Sequence, residues 1–126
     1  MDPVKRWETW ARLDLGDHGL GVQRDDPARV GLVELTDAMR WVPREGEDWS
    51  VPIAEVVVRT RLARFGAPHD GVELAIEGLG VVRIRALAQR PGTPVPMQTA
   101  YQGQAGRSRK LLKQLLKRGA RYEPRG

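Results

Sequence analysis

Apolar residues along this chain recur with period 2 more often than with period 3.6, and Gly and Pro cut the alternation into short runs. That pattern predicts strands buried on one face and joined by tight turns. Ala11, Leu13 and Leu15 share a face of the first strand, and after Gly16-Asp17-His18-Gly19 the pair Leu20 and Val22 resumes the alternation as a hairpin would. Upstream, Asp2-Pro3 with Val4, Trp7 and Trp10 at helical spacing keeps a short N-terminal helical turn open as a competitor. Beyond the turn cluster Arg24-Asp25-Asp26-Pro27, residues 30–35 and 39–42 read as two strands, or as one bent strand broken at Thr36-Asp37. The acidic loop from Pro43 to Asp48 reverses the chain. Residues 49–53 hold Pro52, which cannot donate to a ladder and so belongs at an edge or a bend.

Residues 56–65 form the longest predicted strand, with Val56, Val58, Thr60 and Leu62 facing the core and Val57, Arg59, Arg61 and Ala63 facing out. The clearest hairpin follows. Val72, Leu74 and Ile76 alternate with Glu73, Ala75 and Glu77, Gly78-Leu79-Gly80 turns the chain, and Val82, Ile84 and Ala86 alternate with Arg83 and Arg85. Between residues 90 and 106 Pro and Gly dominate and periodicity disappears. A helix over 109–118 then fits Ser108 as N-cap and Gly119 as terminator. On it Leu111, Leu112, Leu115 and Leu116 fall within an arc of roughly 140°, opposite Arg109, Lys110, Lys113 and Lys117.

These elements predict one mainly β (α+β) domain, a small antiparallel barrel or sandwich with a C-terminal amphipathic basic helix. Its expected parts are a β-rich body over 1–90, a Pro/Gly-rich connection over 91–106, the helix over 107–119 and a flexible tail over 120–126. A chain of 126 residues suffices for one core. Cysteine is absent, which excludes disulfides, thiolate metal sites and a Cys nucleophile and fits a reducing compartment. With no run near the ~20 apolar residues of a membrane span and no signal-like N-terminus, the expected location is the cytoplasm.

Charge changes the picture more than composition does. Residues 103–126 carry eight cations (Arg107, Arg109, Lys110, Lys113, Lys117, Arg118, Arg121 and Arg125) against Glu123 alone, or +7; with +5 overall, the first 102 residues carry −2. The basic character belongs to the tail. Two readings of it compete: the leucines close the body's core beneath a solvated basic face, or that face meets an anionic partner.

Gly31-Leu32-Val33-Glu34-Leu35-Thr36-Asp37, a polar loop and then Trp49-Ser50-Val51-Pro52-Ile53-Ala54-Glu55-Val56 resemble the middle of bacterial PH-like and GRAM-like domains. There an "LT(D/N)" strand end precedes an "(I/V)P(L/I)xxI" segment, further strands and a closing C-terminal helix. The resemblance covers residues 10–118 and departs in two places: the arginine after the "LTD" element falls one position late, at Arg40, and about 20 irregular residues precede the helix. It implies a PH-like binding module. Such domains bind lipid headgroups, peptides or proteins through different faces, so no functional residue carries over.

Reaction chemistry is sparse. His18 and His69 sit in turns without partners for zinc, the acidic loop lacks calcium-loop periodicity, and neither Ser50 nor Ser108 lies in a nucleophile elbow. Gly78-Leu79-Gly80 is a hairpin turn and not a dinucleotide loop. The chain therefore reads as a non-enzymatic binding or protein-interaction module with no catalytic residue, metal or cofactor. A protein partner or a second copy leads, the latter through Leu111, Leu112, Leu115 and Leu116. The alternative is a nucleic-acid phosphate backbone held by Arg107, Arg109, Lys110, Lys113, Lys117, Arg118 and Arg121, with Tyr101 and Tyr122 available to stack on bases. An anionic membrane surface ranks below both. Arg59 and Arg61 beside Glu73 and Glu77, with Arg83 and Arg85 beyond them, predict a cross-strand charge ladder. Trp7, Trp10, Trp41 and Trp49 are expected mainly as core packing.

Overall fold

The computed structural model describes residues 5–15, 29–61, 71–87 and 105–124. The expected turn at 16–19, the alternation at Leu20 and Val22, the strand end at 62–65, the connection up to residue 104 with Tyr101, and Arg125 lie outside them.

Eight strands and one long helix make up the described chain: β1 (Trp7–Leu15), β2 (Val30–Leu35), β3 (Ala38–Pro43), β4 (Trp49–Pro52), β5 (Val56–Val58), β6 (Val72–Ile76), β7 (Gly80–Ala86), α1 (Ala105–Lys117) and β8 (Arg121–Tyr122). They form a single sheet in the order β4-β3-β2-β1-β7-β6-β5-β8, antiparallel throughout except for β8 beside β5.

The connectivity forces this sheet to curl. β4 stands at one edge and β5 six strand positions away, yet only the 3-10 turn Ile53–Glu55 joins them. In a flat sheet six spacings span about 29 Å, whereas four Cα steps reach about 15 Å at most. The sheet closes on itself as a half-barrel, and the side chains on its concave face make the core.

That face is the alternation read from sequence. Ala11, Leu13, Val33, Leu35, Met39, Trp41, Val56, Val58, Val72, Leu74, Ile76, Val82 and Ile84 are all buried in one cluster with Ile53. Trp7 and Trp49 pack on its rim, and Trp41 lies directly opposite Trp49 across β3 and β4. Strand won over helix at Trp7. Thr36-Asp37 separates β2 from β3 as a hairpin, with Leu35 opposite Met39. Gly31 faces Pro43 so closely that a Cβ there would overlap the Val42 carbonyl. Pro52 ends the edge strand, where its missing N–H breaks no ladder.

Three expectations need correction. Residues 56–65 do not make one long strand: β5 stops at Val58, and beyond it the Arg59 amide donates to the Glu73 carbonyl while Thr60 Oγ1 accepts from the Glu73 amide. Ser108 is not an N-cap. The helix starts at Ala105, and the buried Ser108 hydroxyl accepts the Ala86 N–H at 3.2 Å, past the last β6–β7 pair at Val72 and Ile84. The tail is also not loose from residue 120, because β8 pairs with β5 and the Glu123 amide donates to the Val58 carbonyl.

The C-terminal stop of α1 matches its sequence signal. Gly119 has φ +108, its N–H bonds the Leu116 carbonyl, and the Ala120 N–H reaches back to the Leu115 carbonyl, the two bonds of a Schellman motif. Only glycine takes that backbone angle without strain.

Candidate functional site

α1 lies across the concave face over β1, β7, β6 and β5. At 100° per residue its side chains divide into sectors. Leu111, Leu112 and Leu115 point into the body and are fully buried, and Leu116 packs on the same cluster while partly exposed. Each buried leucine contributes about 1.5–3 kcal/mol of transfer free energy. This face is closed within the chain. Of the two expected uses of these leucines, packing on the chain's own body is the one this structure displays, with Leu111, Leu112 and Leu115 inside the core cluster.

A flank about 40° wide holds Arg107, Gln114 and Arg118, and both arginines clamp the helix to the body. Arg107 Nε donates to Thr9 Oγ1 at 3.1 Å and Nη2 to the Glu8 carbonyl at 3.4 Å, with the guanidinium 5.9 Å from the Trp7 ring centre. Arg118 Nε donates to Gln114 Oε1 at 3.1 Å, Nη1 to the Thr36 carbonyl at 2.9 Å and Nη2 to the Lys5 carbonyl. Two of the seven cations expected to meet an anion thus act as structural bolts. Arg121, on β8, is paired with Glu123 at 3.2 Å, and Arg109 is half-buried on the other flank.

What remains outward is lysine. Lys110, Lys113 and Lys117 are exposed and fall within about 60° of helix surface, a single line of ammonium groups. The chain has four lysines in all, and the fourth, Lys5, lies exposed near the helix's C-terminal end. There a half-open cavity of about 450 Å³ is lined, among the described residues, by Lys5, Thr36, Asp37, Gln114, Lys117 and Arg118. Sequence reasoning named Lys117 and Arg118 but not Lys5, Thr36, Asp37 or Gln114. No motif links these, and only the fold brings the β1 approach, the β2–β3 turn and the helix end together.

The convex face carries paired charge. The registers set Asp14 opposite Arg83 and Arg83 opposite Glu73, an alternating row across three strands, and just past β5 the Arg59 main chain bonds that of Glu73. Arg12 and Asp14 are buried at 8% and 3% exposure and meet at 3.4 Å, so this outward stretch of β1 is covered although the alternation left it outside. Toward β4, Arg6 bridges Glu8 and Glu34, and Arg40 bridges Glu34 and Asp48. Hydrogen bonding from Arg40 holds the exposed Asp48 carboxyl below its ordinary value, and the same bond raises Arg40.

Among the described residues no three His, Asp or Glu side chains converge as a metal site, and no helix is long and apolar enough to cross a membrane. No family model, curated protein or solved structure matches the chain.

Proposed function

We propose that this chain is a non-enzymatic, PH-like binding module that takes hold of an anionic macromolecule with the outer edge of α1. The observation that carries the reading is the division of labour on α1: its leucines and two arginines face the body, while Lys110, Lys113 and Lys117 stand exposed in one line. A helix needed only as a lid gains nothing from three like charges at i, i+3 and i+7, which repel one another. The PH-like reading is supported by the order of elements: an antiparallel meander β1–β4, a second over β5–β7, and a helix after them lying over the curled sheet. Membrane anchoring loses its apolar half, because the leucines that would enter the interface are buried.

The test is a triple variant, Lys110→Glu, Lys113→Glu and Lys117→Glu, titrated with polyglutamate and with random-sequence duplex DNA over a salt series. At least one polyanion binds the parent chain, with log affinity falling linearly with log salt. For DNA, each lost phosphate contact lowers that slope by about 0.9, so the triple variant loses between about 2 and 3. Folding is retained, since exposed substitutions shift stability by about 0.5 kcal/mol or less each. Affinity for both polyanions indifferent to the three changes would refute the proposal.

A further inference from the structure

The cavity at the end of α1 narrows the chemistry of the partner. Among the described residues its walls come from three distant places in the chain: Lys5 ahead of β1, Thr36 and Asp37 at the β2–β3 turn, and Gln114 and Lys117 on α1 with Arg118 just past its end. A volume of about 450 Å³ lies within the roughly 300–1,000 Å³ of ligand sites. Arg118 is a fixed wall, because the bonds to Gln114, Thr36 and Lys5 engage three of its five N–H donors. Exposed Lys5 and Lys117 offer ammonium groups. Gln114 accepts from Arg118 through Oε1, which leaves its amide NH₂ as a donor, and the Asp37 carboxylate accepts from the Thr36 hydroxyl through Oδ1 and keeps Oδ2 as a further acceptor.

A polyphosphate presents only acceptors, so Asp37 would face it as a like charge. A peptide presents carboxylates for the lysines, main-chain N–H groups for Asp37 and carbonyls for the Gln114 amide. The cavity matches the second inventory. The lysine edge agrees in length: Lys110 to Lys117 spans about 10.5 Å of helix axis, or three residues of extended chain at about 3.4 Å each. Its free cations are lysines, which make point contacts to single carboxylates, whereas Arg107 and Arg118, with the planar fork that suits phosphate, are bonded to the body.

We infer that the cavity and the lysine edge form one continuous site for an acidic, extended peptide segment of a partner protein, which seats a carboxylate between Lys5 and Lys117 and runs along Lys113 and Lys110. This rests on the function proposed above and narrows it to one class of partner.

The test measures binding of the full chain to an eight-residue peptide of alternating Glu and Ser, and in a parallel arm to a twelve-residue oligothymidylate, both by fluorescence anisotropy at low salt. The peptide binds, and Lys5→Glu with Lys117→Glu weakens it about tenfold, equivalent to about 1.4 kcal/mol. Asp37→Ala supplies the discriminating sign. It weakens the peptide about threefold by removing one hydrogen-bond acceptor, whereas a phosphate ligand would bind more tightly once the like charge is gone. Oligothymidylate binding without peptide binding, or Asp37→Ala strengthening the complex, overturns the peptide inference and leaves the anion-binding reading standing. Binding of neither probe at millimolar concentration overturns both.

Discussion

α1 carries two sets of cations within one turn of each other, and they do opposite things. Arg107 and Arg118 sit on the flank facing β1 and the β2–β3 turn, where planar guanidinium groups reach backbone carbonyls and a side-chain hydroxyl. Lys110, Lys113 and Lys117 sit roughly 60° to 140° further around and remain in solvent. Equal formal charge thus says little about role. Position relative to the leucine sector decides whether a cation holds the fold together or is left for a partner.

The sharpest break of that comparison comes from the leucine sector itself. Leu112→Ala removes a fully buried side chain from the contact between helix and sheet and should cost about 2–5 kcal/mol in urea or thermal unfolding. A loss below 1 kcal/mol would mean that α1 is not part of the cooperative core. Next in size is Arg118→Ala, which strips charge-assisted bonds from the Thr36 and Lys5 carbonyls and should cost about 1.5–3 kcal/mol, while Lys117→Ala on the adjacent residue changes stability by about 0.5 kcal/mol at most. Equal costs at positions 117 and 118 would erase the distinction between bolt and free edge.

The smallest effect concerns a cation far from α1. Asp48 has its folded pKa depressed by the Arg40 hydrogen bond, so its contribution to stability is present above the unfolded value of about 3.9 and is lost as pH falls through the lower folded value. Asp48→Asn should remove that part of the acid-side slope in a melting-temperature profile. Because the pair is exposed, raising salt should shrink the difference as well. An unchanged profile in the variant would show that Arg40 and Asp48 do not hold each other in solution.

Much of the architecture was legible because period-2 alternation reports burial on one face of a strand. Val72, Leu74 and Ile76 against Val82 and Ile84 were read correctly, as were Val56 and Val58, the edge position of Pro52 and the terminating Gly119. The errors arose where a residue's partner is distant in sequence. Ser108 has the chemistry of a cap, but the Ala86 amide, 22 residues away, offers the bond it makes. Arg12 and Asp14 alternate as outward residues, yet they are buried as an ion pair. The candidate site divides the same way. The cationic line of α1 follows from helical spacing alone, whereas nothing local marks Lys5, Gln114 or the Thr36-Asp37 turn as parts of one site.

By itself, then, the amino-acid order determined the β-rich class, the inward faces, the turns and an amphipathic C-terminal helix, because each depends on neighbours within a few residues. Tertiary structure decided three further things: that the sheet closes into a half-barrel, that the leucines of α1 cover their own core, and that four lysines gather on one side with a cavity at its end. Those outcomes depend on which distant segments meet, and a pattern of short period contains no information about that.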